Sequence, residues 1–138
     1  MGPSFGPILA ATISVADLDR AVALYEGALF LSVAARGEVS PELARSWGAA
    51  HAAGCATAVL RPASGAPGWL RLIEAPATGY RPLASTGWAG IEILVADPTA
   101  LARHLADWPF EVIGPPGPLG SLPAIKAMQV IGPDGEVL

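Results

Sequence analysis

"ISVADLDRAVALYEGAL", residues 13–29, is the stretch on which the fold turns. It opens as a strand, with Ile13 and Val15 on one face and Ser14, preceded by Thr12, on the other. Asp17 then suits a helix N-cap, because its carboxylate accepts from the free N–H groups of a first turn and complements the helix dipole. Beyond it Leu18, Val22, Tyr25 and Leu29 recur at steps of four, three and four, the single apolar stripe of an amphipathic helix lying on a sheet. The junction is written a second time at 93–97, where "ILVAD" matches "ISVAD" in Ile, Val, Ala and Asp. Asp97 is the second cap, Pro98 holds the first helical position, where a missing N–H is harmless, and Leu101 and Leu105 mark the buried stripe of "PTALARHLADW", 98–108.

Working outward, "ILAATISV" (8–15), "LSVAARG" (31–37), "CATAVLRP" (55–62) and "WLRLIEA" (69–75) read as strands, the last two joined by the turn-rich "ASGAPG". "PELARSWG", 41–48, is a short helical insertion capped by Ser40. In the second half strands are expected before Asp97, at 110–114 and at 124–131, with "PDG" (133–135) turning into "EVL". Each half is thus strand, helix, strand, strand, strand. Module one covers about 8–75, a linker 76–87, and module two about 88–138. The apolar "EVL" ending predicts a parent chain that continues, leaving the final strand incomplete and a second module pair downstream as one arrangement.

The 138 residues make one domain, long enough to bury a core without disulfides or a structural metal. Hydrophobic residues are 52%, yet no run of 18 apolar residues occurs, so no membrane is expected, and nothing in "MGPSFGPILA" marks it for export, so a cytoplasmic location is the default expectation. Cys55 is the only cysteine, which excludes an internal disulfide and a thiolate-rich zinc site and leaves it as a small hydrophobe. With 8 basic against 12 acidic residues and no Lys/Arg cluster, nucleic acid is excluded as a partner. There is no Ser/His/Asp order in context, no phosphate-binding Gly-rich loop and no metal-spaced Cys or His pair, which removes hydrolases, nucleotide binders and zinc proteins.

The paired "VAD" junctions, the two βαβββ halves and the closing "GPDGEVL" together resemble the vicinal oxygen chelate superfamily, which includes glyoxalase I, extradiol dioxygenases, fosfomycin-resistance enzymes and bleomycin resistance proteins. The resemblance covers nearly the whole chain. It implies an α+β fold in which two βαβββ modules, related by a pseudo-twofold, form a curled mixed-sheet cup. In enzymes of that superfamily the cup holds a divalent metal on His and Glu or Gln ligands, a Lewis acid for two adjacent substrate oxygens. Carried onto this sequence, the ligand positions fall on Ala10 and Gly90, with Thr12 or Glu92 two residues on, and on Leu72 or Glu74, which share a face. Ala10 and Gly90 have no donor atom, and Glu74 with Glu92 is too small a set. No metal is therefore expected.

Seven residues remain as site candidates. Glu92, on the Gly90 and Leu94 side of its strand, is the candidate catalytic base, with a pKa raised by a desolvated cup; the alternative is a solvated residue on an open sheet face. Thr12 and Ser14 offer hydroxyls to a ligand on the corresponding face, against the reading of small polar residues on a sheet. Trp47 and His51, in "ARSWGAAHAAG", suggest a lid with an aromatic anchor and a proton carrier, His51 otherwise being a surface-loop histidine. Arg71 pairs either a carboxylate such as Glu74 or an anionic substrate, or serves as edge-strand charge. His104 is a helix-flank residue.

The expectation is a metal-free protein whose cup binds a small apolar or aromatic molecule. The alternative is a lyase, isomerase or dioxygenase with a metal, Zn, Fe, Mn or Ni, completed by a C-terminal extension or by the partner chain of a homodimer.

Overall fold

The structure, a computed structural model, describes residues 8–75, 79, 81, 83–84 and 90–138. The chain divides into two compact units, Met1–Ala77 and Thr78–Leu138.

The first unit realises the βαβββ order. Strand β1 (Ala10–Val15) leads into helix α1 (Leu18–Leu29), and Asp17 at the junction accepts from the Arg20 N–H at 2.9 Å, the cap its sequence position calls for. Leu18, Ala21, Val22, Tyr25 and Ala28 are buried, so the stripe closes on Ala28 while Leu29 is only half-buried. Phe30 ends the helix in the left-handed region (φ 55°) and returns its N–H to the Tyr25 carbonyl. Strands β2 (Leu31–Glu38), β3 (Ala56–Pro62) and β4 (Trp69–Glu74) complete a four-stranded sheet in the order β1-β4-β3-β2, with β1 parallel to β4 and the other pairs antiparallel.

One face of this sheet is packed and the other is open. Ile13, Val15, Ala58, Leu60, Leu70 and Leu72 are buried, and together with α1 they form the core of the unit. Their alternating neighbours Thr12, Ser14, Thr57, Val59, Trp69, Arg71 and Ile73 point the other way. An ion pair between Arg36 and Asp19 ties β2 to α1 on the exposed rim, where such pairs contribute little.

The insertion between β2 and β3 starts as helix α2 (Pro41–Ser46), capped by the Ser40 hydroxyl, which accepts from the Leu43 N–H at 3.1 Å. It ends in a 3-10 turn, Ala50–Ala52, that sequence periodicity did not indicate. Bonds from Val39 N to Cys55 O and from Gly54 N to Val39 O close its neck. The insertion then folds onto the open face: Val39, Ala44, Ala52 and Ile73 form one buried cluster, flanked by Trp47 and a half-buried Cys55.

In the second unit helix α3 (Pro98–Leu105) is capped by Asp97, which accepts from the Thr99 N–H at 2.8 Å. It stops at Leu105 rather than 108, and the residues that follow close as turns, the Asp107 N–H donating to the His104 carbonyl and the Trp108 N–H to that of Leu105. Strands β5 (Glu111–Leu119) and β6 (Leu122–Ile131) form an antiparallel hairpin across Gly120 and Ser121. Strand β5 runs past its expected end at 114, through Pro115, Pro116 and Pro118. Its register shifts between Gly114 and Gly117 and again after Pro118, because proline has no N–H to give the ladder. Leu105, Phe110, Val130 and Val137 are the unit's buried apolar residues among those described.

The strand expected before Asp97 does not form. Its backbone bonds to Val137, Ile91 N donating to Val137 O at 2.9 Å, and Ile93 and Leu94 are 39% and 100% exposed rather than alternately buried. Without a neighbouring ladder an apolar alternating segment has no sheet to join. The closing residues do pair: Val130 and Leu138 exchange two bonds, and Glu136 folds back so that its carboxylate accepts from the Asp134 N–H at 3.0 Å. The linker expected at 76–87 lies largely outside the described residues.

Candidate functional site

On the open face of the first unit aromatic, cationic and hydroxyl side chains meet. Strand β4 is central, between β1 and β3, and its register sets Arg71 beside Thr12 on one side and Val59 on the other. The Arg71 guanidinium carbon lies 5.3 Å from the centre of the Trp47 ring, which the insertion brings across the sheet. Two residues back on the same face, Trp69 is half exposed (50%) and stands beside Ala10. Ser14 and Ile73 lie at the other end, where the insertion buries Ile73. The Thr57 hydroxyl is spent, donating to the Leu72 carbonyl at 2.7 Å, whereas Thr12 and Ser14 are exposed.

Two of the sequence readings of Arg71 are corrected by this geometry. It is not an edge-strand charge, because β4 has a neighbour on both sides. Nor does it pair with Glu74. Glu74 lies on the packed side of β4, and its carboxylate accepts from the Leu18 N–H at 2.9 Å, fastening the start of α1 to the sheet. Among the described residues Arg71 has no carboxylate partner, the one ion pair being that of Arg36.

Of the seven candidates the structure brings Thr12, Ser14, Trp47 and Arg71 onto one surface. It leaves the other three elsewhere. His51 is exposed on the 3-10 turn and contributes its backbone carbonyl, which accepts from the Cys55 thiol at 3.9 Å. Glu74 is used as a helix cap, and Glu92 is exposed on the unpaired segment of the second unit rather than in a desolvated recess. Trp69 was missed by the sequence reading. The signal was present in the period of two that joins Trp69, Arg71 and Ile73 on one face of a strand.

A metal of the kind the fold implies does not fit these residues. Ala10, Gly90 and Leu72 carry no donor, Glu74 is already bonded to a helix N–H, and no three His, Cys, Asp or Glu side chains come together among the described residues.

In the second unit a shallow concavity of ≈580 Å³ lies between α3 and β5, lined by Thr99, Ala102, Arg103, Ala106, Phe110, Val112 and Pro116. Its polar groups are confined to α3, so nothing there converges on a ligand from two sides. Asp97, at the head of that helix, has its carboxyl held below the ordinary 3.8 by hydrogen bonds from the Ala100 and Thr99 N–H groups, a capping effect. No helix among the described residues is long and apolar enough to cross a membrane.

The sequence matches no family model, and no curated protein matches it. Solved structures do. A glyoxalase family protein from Bacillus cereus is 16% identical with a TM-score of 0.72, over 99% of this chain and 93% of that one. A member of the glyoxalase/bleomycin resistance protein/dioxygenase superfamily from Sphaerobacter thermophilus is 19% identical with a TM-score of 0.65, over 96% of this chain and 94% of that one. A single-substitution variant of glyoxalase I from Zea mays is 20% identical with a TM-score of 0.66, over 94% of this chain but only 43% of the maize chain. At these identities the shared property is architecture: the chain has the α+β, glyoxalase-like fold of the vicinal oxygen chelate superfamily.

Proposed function

We propose that the protein binds a small organic molecule, apolar or aromatic in body, on the open face of the first unit's sheet, and that it does so without a metal. The observation that carries this reading is the half-exposed indole of Trp69 next to Arg71, with Trp47 across it, on a face whose reverse side packs against α1. A large exposed aromatic on a central strand buries little against its own chain, and a ligand ring offers it offset or edge-on contact. Thr12 and Ser14 supply hydroxyls at the rim. Binding here consists of stacking, desolvation and hydrogen bonding by this chain's own residues, and no step is routed through a metal.

The same reading takes the protein as cytoplasmic and self-associating. The second unit leaves Leu94, Leu122 and Ile125 exposed at 100%, 55% and 48%, apolar surface of the kind a second copy covers.

Native mass spectrometry of gently purified protein, with elemental analysis of the same sample, tests the metal-free reading. The expected result is no stoichiometric transition metal and a retained organic mass. One metal per chain, accompanied by metal-dependent thermal stabilisation, would overturn it.

A further inference from the structure

We infer that the ligand of this face is a carboxylate, an aromatic or apolar acid whose anionic group is held edge-on by the Arg71 guanidinium. The inference rests on the proposed binding face and names the chemistry of its occupant. The Trp47 ring lies 5.3 Å from the guanidinium carbon, within cation–π reach, and the guanidinium's N–H fork donates to no carboxylate among the described residues. Two parallel N–H bonds in one plane are the geometry that a carboxylate accepts. The internal candidate for that role, Glu74, is on the other side of the sheet, bonded to Leu18 N–H, so the fork is unclaimed among the described residues.

Charge narrows the ligand further. Directly beside Arg71 stand Thr12 and Val59, both uncharged, and the next cation on this face, Arg61, is one diagonal away on β3, opposite Trp69 by extension of the β3/β4 register. With uncharged residues on both sides, Arg71 supplies one fork, which matches the two oxygens of a single carboxylate. The Trp69 indole, two residues along β4, lies where the body of an acid anchored at Arg71 extends, and Thr12 is placed to donate to the same carboxylate.

Calorimetric titration of the full chain with 2-naphthoate and with 2-naphthamide, two probes of the same shape and different charge, tests the inference. The expected result is naphthoate binding roughly tenfold or more tighter than the amide, because a hydrogen bond to a charged group is lost with the charge. Arg71→Gln is expected to erase that preference. Arg71→Lys is expected to keep part of it, since the charge remains and the fork does not. Equal affinities for the two probes on the unmodified protein overturn the carboxylate inference and leave the binding face standing. Binding of neither probe overturns both, and because that comparison needs no variant it holds whether or not the variants fold.

Discussion

At the scale of single residues, what decides a role here is which face of a strand a side chain takes. Arg71 and Leu72 are adjacent, yet one lies within cation–π reach of an indole over an open surface and the other is wholly buried under α1. Leu72→Ala is expected to destabilise the fold by about 2–5 kcal/mol in denaturant unfolding, as a cavity left in a packed core does. Glu74 was legible as a carboxylate on the Leu72 face but not as a cap, because its partner, Leu18 N–H, is 56 residues away in sequence and only the parallel pairing of β1 with β4 brings the two together. Glu74→Ala is therefore expected to lower stability by about 1 kcal/mol, through loss of a capping hydrogen bond. Ligand titration of the same variant is expected to give an unaltered Kd, since the residue lies on the opposite side of the sheet from Trp69.

Elements show where sequence patterns suffice and where they do not. Helix α1 follows directly from Asp17 and the apolar stripe, since both signals are local and agree. The segment before Asp97 has the same local signals and forms no strand, because strand formation depends on a neighbour and, among the described residues, its backbone bonds only to Val137. Strand β5 errs the other way: its prolines read as an end, but the hairpin with β6 carries the chain through them with interrupted register. The two helix caps lead to a pH prediction for α3. Asp97 has a depressed carboxyl pKa, so its contribution is present above about 3.8 and is lost as pH falls through the lower folded-state value. The protection factors of the Thr99 and Ala100 amides, taken relative to their intrinsic exchange, are expected to fall over that interval and to be low at every pH in Asp97→Ala. Gly132 is a second test at this scale. A Cβ there would collide with the Glu136 carboxylate, so Gly132→Ala is expected to free the Asp134 N–H and unpin the closing turn, seen as lost exchange protection at Asp134.

For the whole molecule, the sequence resemblance implied the architecture, and the solved structures with the same fold agree with it at identities of 16–20%. The binding face was only partly legible. Thr12, Ser14, Trp47 and Arg71 stood out by residue type, while their meeting depends on the insertion folding back over β4 and on β4 being central, neither of which a local pattern encodes. Self-association belongs to this scale too. Sedimentation of the intact chain is expected to give a dimer that Leu94→Glu weakens, with Trp69-side ligand binding retained.

The account turns on an organic ligand occupying the Trp69 and Arg71 face with no metal present. The most direct measurement is an amide-resolved NMR titration of chelator-treated protein with 2-naphthoate. The account predicts shifts concentrated at Thr12, Val59, Trp69 and Arg71 and at the Trp47 indole N–H. Shifts confined to the α3 and β5 concavity around Ala102 and Phe110, or shifts that arise only when a divalent metal is added back, would contradict it.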